Sequence, residues 1–117
     1  MGEASEIAKT LTELCPAAPE AWICLAYATR RRTGGSIQQA MEILLAAEPE
    51  FPTEYLFPFN LACYCSQLGE YFETARWLKK AMAISEDIVK KMALEDEDLK
   101  PFWDNSTAAA WTVGRDA

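Results

Sequence analysis

The sequence contains a spacing of small and large apolar residues that recurs along the chain. The pattern is a small residue, then a leucine four positions later, then an alanine three positions after that. It occurs as Ala40, Leu44, Ala47 and again 34 residues later as Thr74, Leu78, Ala81. A similar set lies 36 residues upstream, as Ala4, Ala8 and Leu11. Separations of three and four residues place side chains on one face of an α-helix. A period of this length is typical of helical hairpins that stack on their neighbours.

The difference between the two offsets locates a two-residue insertion. The pair Leu25-Ala26 matches Leu61-Ala62, again 36 residues later. The insertion therefore falls between residues 26 and 40. The segment 30–35, with sequence Arg-Arg-Arg-Thr-Gly-Gly, lies there and has the glycines that a chain reversal favours.

In these residues the chain resembles the tetratricopeptide repeat (TPR) family. The unit of that family has 34 residues and carries a Trp, a Leu-Gly/Ala pair, a turn Gly, two small residues flanking a large one and a closing Pro. The first unit of this chain fills those positions with Trp22, Leu25, Ala26, Ala40, Leu44, Ala47 and Pro52. The second unit keeps the turn with Gly69 and Tyr71, whereas Pro58 and Thr74 depart from the pattern. We interpret those departures as divergence within the family.

The resemblance covers residues 3–84 and implies an all-α fold. Antiparallel helical hairpins would stack as a short right-handed TPR superhelix with a C-terminal capping helix. We expect about two and a half helix-turn-helix units and the cap to form a single domain over residues 1–104. The segment 99–103 is similar to segments that close the last repeat in some bacterial TPR proteins, and we expect Phe102 and Trp103 to fold back onto the stack. The composition of residues 105–117 predicts a mobile tail.

Local signals predict the helix boundaries. The apolar periodicity predicts helices over residues 3–14, 19–32, 36–47, 71–84 and 86–94, with a further helix that begins between 55 and 57 and ends before Gly69. Pro19 suits a first helical turn, and Ser36 with Gln39 forms a capping box. Gly69 favours a left-handed helix end. Ser85, followed by two acidic residues, predicts a side-chain cap at the next helix.

Composition argues against several functions. The net charge of -7 disfavours nucleic-acid binding, which depends on Lys and Arg. The longest uncharged apolar stretch, residues 55–67, is shorter than the roughly 20 residues that a membrane helix needs, so we expect no membrane partner. The N-terminus resembles no secretory signal, which favours the cytoplasm and reduced cysteines.

Catalysis and cofactor binding are not expected either. The chain has no histidine and no Cys-x2-Cys pair, which disfavours a metal site. Without histidine, the Ser-His-Asp and Cys-His schemes of nucleophilic catalysis are absent. Gly34-Gly35 lacks the lysine and the strand of a phosphate-binding loop. We therefore expect no cofactor and no enzymatic activity.

The TPR resemblance implies a peptide-binding groove on the A helices, the first helix of each hairpin. The family positions fall on Glu20, Ile23, Cys24, Tyr27, Arg30 and Arg31 in the first A helix. In the second they fall on Leu56, Phe59, Asn60, Cys63, Ser66 and Gln67. From these sets we select nine residues as the candidate groove: Ile23, Tyr27, Arg30, Arg31, Phe59, Asn60, Cys63, Ser66 and Gln67.

Each part of this groove has a simpler alternative. Ile23, Tyr27 and Phe59 would also serve as packing between adjacent A helices. Asn60 would hold a peptide backbone or make a hydrogen bond inside its hairpin. The three arginines at 30–32 would contact an anion or form a solvated corner.

The sequence therefore favours a non-catalytic module that binds a peptide segment of a partner protein. One alternative is a self-associating scaffold, such as a homodimer, because short repeat stacks bury their ends against a second copy. Another alternative is a chaperone-like holder of a partner protein.

Overall fold

The computed structural model describes residues 2–32 and 34–105. Within those ranges all regular secondary structure is helical, which confirms the all-α prediction. The α-helices are α1 (Gly2–Leu14), α2 (Pro19–Arg31), α3 (Ile37–Ala47), α4 (Leu56–Gln67), α5 (Tyr71–Ile84), α6 (Glu86–Glu95) and α7 (Lys100–Trp103). A 3-10 turn at Glu48–Glu50 precedes the loop before α4, and a second one at Glu97–Leu99 precedes α7. Apart from Asn105, the predicted mobile tail lies outside the described residues.

The chain divides into two compact units, Met1–Phe57 and Pro58–Ala117. The assignment of residues 1–104 to a single domain stays a prediction.

The first unit is built from α1, α2 and α3. Helix α2 packs against both α1 and α3. The contact surfaces consist mainly of small side chains, and the buried residues are Ala8, Thr12, Ala21, Ala26, Thr29, Ala40, Leu44 and Ala47. Small side chains allow helix axes to approach closely, so the spacing that revealed the repeat is also the packing surface of α3.

The turn between α2 and α3 follows the predicted pattern. The Ser36 Oγ accepts a hydrogen bond from the Gln39 backbone N–H at 3.2 Å, which is one half of the expected capping box. Gly34 has φ of +80°, in the left-handed region. A Cβ atom on Gly35 would collide with the backbone carbonyl oxygen of Thr29, so the chain passes too close to α2 for any other residue.

Helix α4 is the most deeply buried helix in the described chain. Nine of its residues from Phe57 to Ser66 are buried, and Asn60 is half-buried. It carries no charged residue, which explains this environment because an apolar helix without a polar face is stable only in an interior. The helix starts at Leu56, so Pro58 falls in its first turn, where a missing N–H leaves no helical hydrogen bond unmade.

The end of α4 is a Schellman motif. The Gly69 N–H donates to the Ser66 carbonyl oxygen at 3.1 Å, and the Glu70 N–H donates to the Cys65 carbonyl oxygen at 2.9 Å. Gly69 has φ of +80°, as the sequence predicted for a helix C-terminus. The predicted left-handed helix end at Gly69 is confirmed.

One predicted cap is wrong. The Ser85 hydroxyl makes no capping hydrogen bond at the start of α6, although the two acidic residues that follow lie in its first turn. Ser85 has φ of -150° and ψ of 87°, and its backbone N–H still bonds to the Ala81 carbonyl oxygen at 3.0 Å. The residue therefore ends α5 as well as preceding α6. A side-chain cap forms instead at Asp96, whose carboxylate accepts from the Asp98 N–H at 2.8 Å.

The C-terminal segment 96–103 folds back inside the second unit. Phe102 and Trp103, the two side chains expected to fold back, both lie in this segment, while the closure of a repeat stack stays a prediction. Leu99 and Phe102 are completely buried. The Trp103 ring lies against the Phe102 ring, with centroids 5.0 Å apart, and its Nε1–H donates to the Ala93 carbonyl oxygen at 2.8 Å. This segment therefore supplies part of the core of the second unit.

Candidate functional site

The exposed side of α2 carries four of the predicted A-helix positions. Glu20, Cys24, Tyr27 and Arg31 are all exposed. Their spacing of four, three and four residues places them in one line along the helix. We call this line the α2 stripe. It has an acidic residue near the N-terminus of α2, a basic residue near the C-terminus, and a thiol and an aromatic ring between them.

Tyr27 and Arg31 contact each other within the α2 stripe. The Arg31 Cζ lies 4.4 Å from the centroid of the Tyr27 ring, in a cation–π contact. Tyr27 nevertheless remains 54% exposed. Arg31 is exposed as well, so its guanidinium rests on the ring and remains accessible to solvent. The sequence allowed this contact at i, i+4 spacing, but the prediction did not include it.

The other two predicted residues of α2 lie beside this line. Ile23 and Arg30 are half-buried. Arg30, Arg31 and Arg32 are three of the four basic residues among residues 1–57, the fourth being Lys9. The C-terminal end of α2 is consequently the most basic part of the first unit.

The predicted residues of α4 are in a different environment. Phe59 is 2% exposed and Cys63 is 3% exposed. Asn60 is half-buried and makes an interaction. Side chains as buried as Phe59 and Cys63 have almost no surface to offer a ligand in this conformation. Their role in binding stays a prediction.

Ser66 and Gln67 contact the C-terminal segment. The Ser66 Oγ accepts a hydrogen bond from the Phe102 backbone N–H at 3.2 Å, in a buried position. The Gln67 side-chain Nε2 donates to the Asp98 carboxylate at 2.8 Å. The Gln67 Oε1 is buried and has no hydrogen-bond partner among the described residues. The structure thus brings these two side chains together around residues 98–102 of the second unit.

The uncharged run of residues 55–67 is the sequence signal that indicates the burial of α4. A helix with no charged residue on any face is typically buried on all sides, and this signal predicts the burial of Phe59 and Cys63.

All four cysteines are free thiols, in two environments. Cys15 and Cys24 are exposed, whereas Cys63 and Cys65 are buried. Burial, and then the nearby carboxylates of Glu73 and Glu70, raise the pKa of Cys65 from 9.0 to about 11. The Cys65 thiol is therefore neutral and unreactive at physiological pH.

Two cavities lie outside the predicted groove. One, of about 230 Å³, belongs to the first unit, and its walls are Pro16, Trp22, Ala46, Ala47, Glu50 and Phe51. The Trp22 Nε1–H donates to the Pro16 carbonyl oxygen at 2.9 Å, which fixes the indole there. The other, of about 560 Å³, belongs to the second unit and is lined by residues 69–73 and Asn105.

The prediction gave Phe72 no role. Its ring is 73% exposed and lines the larger cavity. Phe72 lies off the apolar stripe of Thr74, Leu78 and Ala81, and that position was the available signal that the ring would face solvent.

The described residues contain no cluster of His, Cys, Asp and Glu arranged to hold a metal ion. In the same ranges no helix has both the length and the apolar content to cross a bilayer. No protein-family model, curated protein or solved structure matches this chain.

Proposed function

We propose that this chain is a non-catalytic protein-interaction module whose hairpins are tetratricopeptide repeats stacked as a right-handed superhelix. It would act in the cytoplasm and bind a peptide segment of a partner protein against its A helices. The support for the repeats is the spacing shared by Ala40, Leu44 and Ala47 and by Thr74, Leu78 and Ala81. All six of these side chains are buried.

The observation that supports binding is the exposed Tyr27 on α2. A tyrosine ring presents a large apolar surface with few rotatable bonds, so it binds a partner at a small cost in conformational entropy. The Arg31 contact further restricts the ring. Because the stripe is narrow, we expect a single peptide to bind with micromolar affinity once ordering costs are subtracted.

Selection of random peptides displayed on phage tests this function. The purified chain would be the bait, and binding of each selected peptide would be measured for wild type, Tyr27→Ala and Phe72→Ala. Phe72→Ala is a matched control because it also removes an exposed aromatic ring. We expect Tyr27→Ala to weaken binding at least tenfold and Phe72→Ala to leave it unchanged, with both variants retaining wild-type helicity. Selection of no peptide that depends on Tyr27 would refute the proposal.

Self-association is a second candidate, supported by the outer face of α1. Ile7, Leu11 and Leu14 are 59%, 42% and 73% exposed and lie along one side of the helix. With Ala4 they have the alternating spacing of three and four residues that is found in coiled-coil seams. A second copy of the chain would cover this face.

Light scattering across a dilution series distinguishes this candidate. A dimer that Leu14→Glu dissociates, and that Leu94→Glu on α6 does not, would support association through α1. Leu94 is a suitable control because it is also a largely exposed leucine, at 61%. A mass near 13.1 kDa at every concentration would remove the candidate.

A further inference from the structure

The α2 stripe has opposite charges at its two ends. Glu20 lies in the first turn of α2 and Arg31 in the last. Both side chains are exposed, and neither forms a salt bridge with another described residue. Since Glu20 and Arg31 are 11 positions apart in the sequence and the helix rises 1.5 Å per residue, the two ends lie about 16 Å apart along the helix. That distance is too long for the two charges to neutralise each other through water containing salt.

An extended peptide matches this distance. At about 3.3 Å per residue, 16 Å corresponds to a separation of about five residues in the ligand. Tyr27 lies about 10 Å from Glu20 on the same measure, which is about three residues along such a peptide. A peptide on the stripe would therefore meet a carboxylate, then an aromatic ring, then a guanidinium.

We infer that the segment bound on the α2 stripe carries a basic and an acidic side chain about five residues apart, with an apolar side chain between them. The basic group pairs with Glu20 and the acidic group with Arg31, while the apolar side chain lies on Tyr27. This inference rests on the proposed function, because it names the chemistry of the peptide that the module binds.

The orientation of Arg31 favours carboxylate recognition. Because its guanidinium already rests on the Tyr27 ring, less conformational freedom is lost when a carboxylate binds. A guanidinium also binds a carboxylate through two parallel hydrogen bonds. Arg30 and Arg32 add to the local positive potential at this end.

Nonspecific attraction by the net charge of the protein is a simpler explanation of a charge preference, and it predicts a different preferred peptide. The whole chain has a net charge of -7, so nonspecific attraction favours the most basic peptide. The stripe instead favours a peptide of mixed sign. Comparing these two preferences decides between a defined site and the general field of the protein.

The test uses synthetic hexapeptides with blocked termini and leucine at the fourth position. The first and sixth positions would be Lys and Glu, Lys and Lys, or Glu and Glu. Binding would be measured by fluorescence anisotropy at low salt and again at 1 M salt. Since an exposed ion pair changes a binding constant by up to about fivefold, we expect the Lys/Glu peptide to bind three- to tenfold more tightly than either same-sign peptide. The difference should disappear at 1 M salt, where the screening length is about 3 Å.

Two charge-reversal variants each invert the preferred charge of the peptide at one end of the α2 stripe. Glu20→Arg should make the Glu/Glu peptide the tightest ligand, and Arg31→Glu should do the same for the Lys/Lys peptide. Because these reversals also act on the helix dipole, Glu20→Gln and Arg31→Gln provide milder versions. Each of these should remove the discrimination at its own end. Circular dichroism would check that every variant retains its helices.

The outcomes separate this inference from the proposed function. Tightest binding of the Lys/Lys peptide by wild type, or a preference below about twofold, overturns the inference. It also fails if no hexapeptide binds. In each of these cases the proposed function still stands if phage-selected peptides depend on Tyr27, and it falls as well if they do not.

Discussion

Replacing Phe102 with alanine tests whether the C-terminal segment is part of the core of the second unit. The ring has no exposed surface, and it contacts Trp103 at 5.0 Å and Tyr71 at 6.4 Å between ring centroids. A phenyl side chain that buries roughly 150 Å² contributes about 4 kcal/mol at about 25 cal/mol per Å². This value agrees with the usual loss of about 3–5 kcal/mol for Phe→Ala in a core.

Urea unfolding followed by circular dichroism would measure the loss. With an m-value near 1.5 kcal/mol per M, a loss of about 4 kcal/mol lowers the unfolding midpoint by roughly 2–3 M. Phe72→Ala is the control, because it removes the same atoms from a ring that is 73% exposed. We expect that variant to change the free energy of unfolding by less than about 0.5 kcal/mol. Equal midpoints for the two variants would refute the placement of Phe102 in the core.

Three further predictions concern single residues. Ser66→Ala removes the acceptor of the buried Phe102 N–H and should lower the free energy of unfolding by about 1–3 kcal/mol in the same urea assay; no loss would mean that another group accepts this hydrogen bond. Gly69→Ala places a Cβ atom at φ of +80° in otherwise open space, so we expect a loss of about 1–2 kcal/mol from backbone strain alone, and a neutral substitution would contradict the left-handed helix end. The folded-state pKa of Cys65 is raised to about 11. The folded state therefore favours the neutral thiol, and the stability that this thiol contributes is fully present below about pH 9 and is lost as the pH rises to about 11. Wild type should therefore lose up to about 3 kcal/mol more than Cys65→Ala over that interval, and parallel pH profiles would exclude the effect.

The helix boundaries could be predicted because local chemistry determines them. Pro19 fits a first turn, Ser36 caps α3, and Gly69 allows the left-handed end of α4 whatever the rest of the chain does. Ser85 shows the limit of such signals. Its backbone ends one helix while the next begins, and its side chain makes no cap.

The candidate site was less predictable because exposure depends on what covers a helix. On α2 the predicted positions Glu20, Cys24, Tyr27 and Arg31 are exposed, but on α4 the predicted positions Phe59 and Cys63 are buried. Residues distant in the sequence contribute to this difference, as the contact between Ser66 and Phe102 illustrates. A pattern of helix positions does not say which distant segment will lie on them.

The hydrogen bond between Ser66 and Phe102 also has a consequence for synthesis on the ribosome. The two residues are 36 positions apart, and translation at about 5–20 residues per second takes roughly 2–7 s to cover that distance. During this interval the nascent chain carries the uncharged helix α4 without the segment that closes over its C-terminal end. Until Phe102 emerges, the apolar surface that this segment covers is open to contact with other chains, so residues 96–103 determine when the second unit is protected from aggregation.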